Sequence, residues 1–446
     1  MDIEKILELF ENKKISDLRA ILKNMNPVDI ATLFEEIPED KIPLLFRILP
    51  KELAADTFTN IDGDMQELLI QAFSDGELKE VFDDLYLDDT VDIIEEMPAN
   101  VVNRILESTS SQMRRIINEV LKYPDDSAGS IMTIEYVSLK RSMTVEDAFN
   151  RIRRTGIDKE TIYTCYVTDE NRKLAGIVSV KTLLLSEPSC KIGDIMEQNI
   201  IYVETLEDKE VVARLFDKYG FLAIPVVDKE QRLVGIITVD DAIDVLQDEN
   251  TEDFEKMAAI SPSEESYFKM SVLTHAKNRI LWLLVLMLSS TITGIIITNY
   301  TDTFATFPLL VAFIPMLMDT GGNCGSQTST LIIRGLALEE IKLKDYFVAL
   351  FKEIRIALVV GVVLSIINAI RIYLMYHDLA IALITAITLI FTIILAKMLG
   401  CSLPMIAKRL KLDPAIMASP LITTIVDACS VFLYFTIATA LLGLHV

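Results

Sequence analysis

"LITTIVDACSVFLYF", residues 421–435, indicates the fold class, because it is an apolar stretch of membrane-helix character that nevertheless carries Asp427. It lies within a longer run, 415–441, which exceeds the roughly 20 residues needed to span a ~30 Å hydrocarbon core. A charged side chain at that depth costs about 2.5 to 3.5 kcal/mol on insertion scales and usually marks an ion path. We therefore predict an α-helical membrane protein in which Asp427 has a function.

Charge and hydropathy divide the 446-residue chain into two parts. The chain is 51% hydrophobic, with a mean hydropathy of +0.38, yet 24% of its residues are charged. From Ser271 onward there are 12 Lys and Arg against 9 Asp and Glu, whereas residues 1–270 contain 30 against 56, a net charge near −26. An acidic soluble part thus precedes a membrane part. The high hydropathy is evidence against an ordinary soluble enzyme, and the negative charge is evidence against a nucleic-acid partner.

Five apolar runs are long enough to cross a membrane, namely 280–298, 307–333, 356–376, 379–399 and 415–441. Most Lys and Arg residues of this part precede the first run or follow the second and fourth, and the alternate loops contain almost none. By the positive-inside rule, the acidic part lies in the cytoplasm and the carboxyl terminus lies outside. We predict a five-span pore domain, residues 276–446, in the plasma (inner) membrane.

The cytoplasmic part begins with a helical region, residues 1–125, that is punctuated by prolines. In "PVDIATLFEEIPEDKIPLLFRILP" (27–50), apolar residues recur at i, i+3 and i+4, and "TVDIIEEMPANVVNRIL" (90–106) repeats the pattern weakly. Short amphipathic helices of this kind bury their apolar faces by stacking on one another. The pattern predicts an all-α superhelical domain.

An internal repeat follows, with copies at 130–190 and 191–247. "YVTDENRKLAGIVSV" (166–180) and "PVVDKEQRLVGIITV" (225–239) each contain a strand, a polar turn and a second strand with a glycine near its start. This β-α-β-β-α pattern resembles tandem cystathionine-β-synthase (CBS) domains, regulatory α/β modules that often bind adenosine nucleotides. The resemblance implies a pair of such domains.

The nucleotide motif of CBS domains, Gly-x-x-Ser/Thr-x-x-Asp, is complete in only one copy. The second copy has Gly235, Thr238 and Asp241, whereas the first has Gly176 and Ser179 followed by a threonine, Thr182, in place of the acid. One ribose-binding carboxylate is therefore missing. Binding of ATP stays open, and a scaffold for dimerisation and sensing is the favoured interpretation.

Two membrane runs carry polar stripes at helical spacing. In the second run these residues are Asp319, Gly322, Asn323, Ser326, Gln327 and Thr330. In the fifth run they are Pro420, Thr423, Thr424, Asp427, Ser430 and Tyr434. We expect the two stripes to face one another across a water-filled path, with Asn323, Gln327, Thr423 and Thr424 as pore-lining candidates.

Four interpretations of Asp427 compete. It can be a protonated, hydrogen-bonded carboxyl group of the bundle, or part of a proton relay, although no His lies in these runs. "DTG" (319–321) matches the aspartic-protease tripeptide, so that Asp319 and Asp427 are the candidate dyad of an intramembrane hydrolase. The fourth interpretation is a cation pore, in which one acid per chain becomes an acidic ring in an oligomer.

The residue types favour the cation pore. Carboxylate, amide and hydroxyl oxygens without His or Cys clusters suit a hard ion such as Mg²⁺ or Ca²⁺. The five cysteines are scattered along the chain, which is evidence against a zinc site. Mg²⁺ usually keeps several waters and is held by few carboxylates, so one acid per chain suits it.

The whole chain resembles the MgtE family of bacterial magnesium transporters or channels. The specific motifs are "GGNCGSQ" (321–327) and "SPLITTIVDACS" (419–430), in addition to the domain order. The resemblance implies a homodimer that transports Mg²⁺ and is not an enzyme. It also implies a pore between the second and fifth spans, with Asp427 as the ion-selecting carboxylate.

A second acidic feature leads from the CBS repeat toward the membrane. "TVDDAIDVLQDENTEDFEKM" (238–257) places acids three and four residues apart, where like charges repel in a helix, and the acidic connecting helix of 248–275 continues from it. It is either a solvated acidic face or a regulatory site at which Mg²⁺ joins it to other acids, Asp88, Asp89 and Asp413. The family resemblance assigns Asp241, Glu249, Glu252, Asp253 and Asp413 to such sites. The sequence departs from the family at Gly220, where some members have an acid.

Overall fold

The computed structural model describes residues 3–263, 267–268, 270–300, 307–417 and 419–443. The chain forms two compact units, Met1–Leu246 and Gln247–Val446. The first unit contains the predicted helical domain and the CBS repeat. The second contains the long apolar helices.

The amino-terminal domain is all-α within the described residues. Its helices are α1 Ile3–Glu11, α2 Ile15–Leu22, α3 Pro27–Glu35, α4 Ile42–Phe46, α5 Lys51–Thr59, α6 Gly63–Ala72, α7 Asp75–Phe82, α8 Leu87–Glu96, α9 Ala99–Ser108 and α10 Ser111–Val120. Pro27 is the first residue of α3, where Asn26 caps the amide of Val28, and Pro50 and Pro98 directly precede α5 and α9. A proline suits a helix start because the first amides have no partner within the helix.

Alternate helices of this domain pack on one another, α3 on α5, α5 on α7 and α7 on α9. A row of phenylalanines fills the core between them, with ring centroids 5.2 to 6.5 Å apart. Its members are Phe34, Phe46, Phe58, Phe73 and Phe82. This stacking of alternate helices confirms the predicted superhelix.

The CBS repeat forms two three-stranded sheets of the same topology. The first copy contains β1 Ser138–Lys140, α11 Val145–Thr155, β2 Thr164–Thr168, β3 Leu174–Ser179, α12 Val180–Leu185 and α13 Ile192–Ile195. The second contains β4 Val203–Glu204, α14 Lys209–Tyr219, β5 Ala223–Val227, β6 Leu233–Thr238 and α15 Val239–Met257. In each sheet the first two strands are parallel and the last two antiparallel, which confirms the repeat.

The segment that leads into each copy pairs with the sheet of the other copy. Thr133, ahead of the first strand of the first copy, bridges to Ile236 in β6, and Glu197, ahead of the first strand of the second copy, bridges to Ile177 in β3. A Cβ on Gly235 would lie 2.8 Å from the carbonyl oxygen of Thr133, so only glycine fits there. The two copies are therefore interlocked.

The second unit contains five long helices in the described residues, α16 Val272–Asn299, α17 Ile314–Ala337, α18 Tyr346–Tyr376, α19 Leu379–Arg409 and α20 Ser419–Leu442. In the part of the chain that the structure describes, four segments are long and apolar enough to span a membrane, Val272–Asn299, Leu343–Tyr376, Leu379–Arg409 and Pro414–Leu442. These results confirm a helical membrane domain. The predicted second span corresponds to α17. This helix is long enough, but it is not among the four segments because its polar stripe and four glycines lower its mean hydropathy. The count of five spans stays a prediction.

Candidate functional site

The two helices that carry the predicted polar stripes, α17 and α20, pack directly on each other. A Cβ on Gly322 would lie 2.9 Å from Cγ2 of Thr423, so the glycine permits a close approach of the two backbones. The hydroxyls of Ser326 and Ser419 are hydrogen-bonded at 2.8 Å. The structure thus brings the second and fifth predicted runs together within one chain.

The stripe of α17 lies on a face that the described residues leave open. Asp319, Asn323, Gln327 and Thr330 are exposed, whereas the glycines beside them are buried. These four side chains lie within one sector of the helix, at spacings of four, four and three residues. Lipid is a poor environment for such side chains, because unpaired polar groups are costly in hydrocarbon.

The stripe of α20 divides into two parts. Thr423, Thr424 and Asp427 are half-buried, but Ser430 and Tyr434 are fully buried. The Tyr434 hydroxyl donates to the carbonyl oxygen of Leu310 at 3.0 Å. Only the half of the stripe around Asp427 is therefore available to an ion path, and Tyr434 has a structural role.

Asp427 has an unsatisfied carboxylate oxygen. Its Oδ1 is buried and accepts no hydrogen bond from the described residues. A buried acceptor without a donor is costly, and such an atom in a native structure calls for an ion or water as its partner. The oxygen-rich surroundings, with the hydroxyls of Thr423 and Thr424 on the same helix, suit a hydrated hard cation.

In the first unit, the predicted metal ligands Asp88 and Asp89 on α8 lie in a cluster of acids with Asp241 on α15. Burial, followed by Asp241 and Asp89, raises the pKa of Asp88 well above its usual value. Burial and the charge of Asp241 raise the pKa of Asp89 to about 6. The pKa of Asp241 is also about 6, because burial outweighs its hydrogen bonds from Thr238. The structure therefore brings together three of the acids that the sequence analysis named.

The sequence analysis missed a fourth member of this cluster, Glu160. Its Oε2 is buried without a hydrogen-bond partner in the described residues. Burial, followed by Asp89, Asp240 and Asp241, raises its pKa to about 8. No sequence pattern links Glu160 to α8 or α15, so the spatial fold alone identifies it.

The acidic cluster does not form a closed ligand set. Among the described residues, no group of three His, Cys, Asp or Glu side chains lies close enough together to hold a metal ion directly. Burial and, after it, the neighbouring carboxylates raise the pKa of these acids, so their ionised forms lack a compensating positive charge here. Mg²⁺ commonly binds through one or two carboxylates and retained waters, so the oxygen-only donors fit that ion.

In the second unit, a lysine lies between two other predicted metal ligands. Lys256 Nζ is 2.7 Å from Asp413 Oδ2 and 2.5 Å from Glu252 Oε1. Burial lowers the pKa of Lys256, but its hydrogen bonds to Asp413 and Glu252 together outweigh that effect and hold the pKa above its usual value. One half of this contact has a signal in the sequence, because Glu252 and Lys256 are four residues apart, a spacing at which opposite charges pair on a helix. The other predicted ligands there, Glu249 and Asp253, lie on the same helix.

Gly220 has a conformational reason to be glycine. It caps α14 with a φ of +66°, in the left-handed region that glycine adopts without steric cost. The departure from the family pattern at this position thus coincides with a helix C-cap.

Thr182 and Asp241 have equivalent roles in the two CBS copies. In the second copy, Asp241 Oδ2 accepts a 2.6 Å hydrogen bond from the Thr238 hydroxyl. In the first, the hydroxyls of Ser179 and Thr182 are 2.9 Å apart. Thr182 preserves the local hydrogen bond at the helix start but supplies no negative charge for a ribose.

Comparison with known proteins identifies the family. Family sequence models match the chain as "Divalent cation transporter" at residues 314–437, "MgtE intracellular N domain" at 25–126, and "CBS domain" at 128–187 and 192–248. The magnesium transporter MgtE of Thermus thermophilus is 33% identical over 429 residues, 95% of each chain. The chain belongs to the MgtE family. MgtE of Bacillus subtilis is 34% identical and covers 98% of this chain and 97% of its own.

Solved structures agree for the amino-terminal part of the chain. The crystal structure of the cytosolic domain of the Mg²⁺ channel MgtE in complex with ATP is 34% identical, covers 55% of this chain and 99% of its own, and has a TM-score of 0.52. The soluble part of a magnesium transporter is 30% identical with the same TM-score. The predicted MgtE fold, with its N domain and CBS pair, is confirmed.

Proposed function

We propose that the chain imports Mg²⁺ across the plasma membrane as a homodimer, through a pore lined by α17 and α20. Asp427 compensates the charge of the ion at the narrow part of the path. Asn323, Gln327, Thr423 and Thr424 hold its retained waters. The amino-terminal unit lies in the cytoplasm and the carboxyl terminus outside, in keeping with the distribution of Lys and Arg.

The observation that carries this proposal is the open polar stripe of α17 beside the unsatisfied carboxylate of Asp427. A stripe of this kind needs water or a protein partner, because hydrocarbon leaves its polar groups unpaired. A second copy related by a two-fold axis meets that need with the same surface. It also pairs two Asp427 side chains, and such acidic rings select cations.

The donor atoms that line the proposed pore indicate which class of cation it conducts. The open face of α17 presents carboxylate, amide and hydroxyl groups, and Cys324 on the same helix is buried toward the bundle. Hard oxygen donors favour Mg²⁺ or Ca²⁺ over thiophilic metals. The magnesium relatives favour Mg²⁺ between these two.

Regulation by cytosolic Mg²⁺ is the second part of the proposal. Mg²⁺ at the acidic cluster of Asp88, Asp89, Glu160 and Asp241 relieves repulsion between α8 and the start of α15. Binding that favours this compact arrangement shifts the population toward it. Since α15 continues along the chain from Asp241 into the second unit, we propose that high cytosolic Mg²⁺ closes the path and low Mg²⁺ opens it. Uptake is then under negative feedback.

ATP is a second proposed ligand, at the CBS pair. The relative crystallised with ATP supports it, and the second copy retains Asp241 next to Thr238. The first copy lacks the acid at Thr182. We therefore propose weak ATP binding, through the second copy.

The test of transport is flux into liposomes that contain the purified protein, measured with an ion-sensitive dye at a set membrane potential. We expect Mg²⁺ entry that depends on the protein and exceeds the entry of Ca²⁺, Co²⁺ and Ni²⁺. Liposomes of the same lipid without protein are the control. Equal entry of Mg²⁺ with and without the protein would disprove the proposed function.

A further inference from the structure

A buried ion pair joins three helices of the membrane unit at one point. Lys397 Nζ on α19 lies 3.3 Å from Glu353 Oε2 on α18. Thr328 on α17 completes the cluster: its hydroxyl donates to Glu353 Oε2 at 2.9 Å and accepts from Lys397 Nζ at 3.0 Å. The charged side chains are only 7% and 10% exposed, so the pair is shielded from water.

This cluster lies behind the open stripe of α17. Thr328 is five residues beyond Asn323, which places it about 140° around the helix from that side chain. Thr328 is fully buried, whereas Asn323 and Gln327 are exposed. The cluster therefore contacts α17 on the side away from the proposed ion path.

Two further contacts hold the same side of α17 against α19. A Cβ on Gly400 would clash with the carbonyl oxygen of Gly325, so the two helix backbones approach closely there. Lys408 Nζ donates to the carbonyl oxygen of Leu336 at 2.8 Å, at the end of α17. Thr328 lies along α17 between Gly325 and Leu336. Those two residues make their contacts through backbone carbonyl oxygens, whereas Thr328 uses its side chain.

The physical cost of the cluster indicates what it contributes. A buried ion pair gains little over apolar side chains of similar volume, because desolvation offsets the attraction between the charges. Its hydrogen bonds, unlike apolar contacts, are satisfied only in one geometry. A threonine that both donates and accepts within the pair restricts the rotation of its helix.

We infer that Glu353, Lys397 and Thr328 form a positioning cluster that fixes the rotation of α17 and so sets where Asn323 and Gln327 lie in the ion path. The inference rests on the proposed pore. It assigns ion discrimination partly to residues that never touch the ion. The sequence contained one signal for it, a lysine within the apolar run 379–399.

The first test replaces the hydroxyl alone. Thr328→Val removes both hydrogen bonds and keeps the branched shape, and Thr328→Ser keeps the hydroxyl. We expect Thr328→Val to lower the ratio of Mg²⁺ to Ca²⁺ flux roughly fivefold, the factor that corresponds to about 1 kcal/mol, the lower end of the net contribution of two hydrogen bonds. Thr328→Ser should restore the ratio of the unaltered protein.

Thr388→Val is the matched control. Thr388 is also fully buried, but its hydroxyl donates only to the carbonyl oxygen of Ile384 in its own helix. This control should keep the normal flux ratio. An unchanged ratio in Thr328→Val would overturn the inference, and so would an equal fall in Thr328→Val and Thr388→Val, which indicates a general packing effect.

The second test removes the charges together, in case Thr328→Val does not fold. The double variant Lys397→Met with Glu353→Met replaces the pair with apolar side chains of similar length, a change that buried pairs often tolerate. We expect a dimer that elutes normally from a sizing column and has a lowered flux ratio. A folded double variant with the normal ratio would overturn the inference.

Failure of this inference and failure of the proposed function give different results. Without any protein-dependent Mg²⁺ flux in the unaltered chain, the transport proposal itself fails. Normal flux and selectivity in the unaltered chain, together with normal selectivity in Thr328→Val and the double variant, contradict the positioning role only.

Discussion

Lys256 on α15 forms an ion pair with Asp413, which lies in the segment before α20, with Nζ and Oδ2 2.7 Å apart. Glu252 accepts from the same ammonium group. The lysine thus occupies the place between two carboxylates that the sequence analysis had assigned to Mg²⁺. This contact joins α15 to the segment before α20 with a cation that the chain itself supplies.

The first prediction concerns this ion pair. Lys256→Met removes the ammonium and keeps the apolar stem, so the Glu252 and Asp413 carboxylates repel each other unless Mg²⁺ joins them. We expect the cytosolic Mg²⁺ concentration for half-closure to rise about fivefold, for the loss of an ion pair of roughly 1 kcal/mol. Patch recordings measure it. Lys256→Arg is the control and should close normally; an unchanged or lower half-closing concentration in Lys256→Met contradicts the prediction.

The second prediction concerns the pore acid. Asp427→Ala should abolish Mg²⁺ uptake and leave the dimer folded, because no other described acid on α20 can compensate the charge of the ion. Liposome flux and a sizing column measure the two properties. Asp378→Asn is the matched control: Asp378 caps α19 through the amides of Ala380 and Ile381, and asparagine caps equally well. Near-normal uptake by a folded Asp427→Ala variant refutes the role of Asp427.

The third prediction separates a pore from the alternative hypothesis of an intramembrane hydrolase. Asp319→Asn keeps the size and polarity of a side chain at the open stripe. A pore should then keep most of its Mg²⁺ flux, whereas a dyad of Asp319 and Asp427 should lose all activity. Flux of the Asp319→Asn variant in liposomes measures this. Complete loss of flux in a folded protein counts against the pore.

The fourth prediction concerns closure by cytosolic Mg²⁺. Neutralising Asp241, Glu249, Glu252 and Asp253 together as amides removes the charges that Mg²⁺ is proposed to bridge. The variant should stay open at Mg²⁺ concentrations that close the unaltered protein, and Mg²⁺ should protect its cytoplasmic linkers less from protease. Patch recordings and limited proteolysis measure these effects. Normal closure of the variant would contradict the prediction and would indicate that the acidic face of α15 is only solvated and has no regulatory role.

The fifth prediction concerns pH and the amino-terminal domain. Glu77 accepts from Arg47 Nε at 2.7 Å and from the amide of Ser74, and these hydrogen bonds lower its pKa to about 2 from an ordinary value of 4.5. The folded pKa lies below the unfolded one, so this stabilisation is present above pH 4.5 and is lost as the pH falls toward 2.

Glu77→Gln should therefore lower the free energy of unfolding at pH 7 by about 1 kcal/mol, the loss expected for a half-exposed ion pair and its helix cap. The thermal midpoint, measured by circular dichroism, should fall accordingly. The difference from the unaltered protein should shrink between pH 4.5 and 2. Glu80→Gln, an exposed acid on the same helix, is the control. A difference that is independent of pH contradicts the assigned cause.

The membrane part, the proline-punctuated helices and the CBS repeat could all be predicted from the sequence. Each depends on local properties, namely run length, helical or strand periodicity and recurring short motifs. The polar stripes of α17 and α20 were visible for the same reason. The stripe of α20 was predicted too long, because periodicity cannot distinguish Ser430 and Tyr434, which face protein, from Asp427, which is half-buried.

Contacts between distant parts of the chain were decided only by the tertiary structure. Glu160 lies near Asp89 and Asp241. Lys397 contacts Glu353, 44 residues away in sequence, and Thr328, 69 residues away. An isolated charge in a sequence has no visible partner, since its electrostatic neighbour depends on how whole helices pack. The sequence by itself determined which side chains are available in each helix, and packing determined which of them meet, because charges interact through space rather than along the chain.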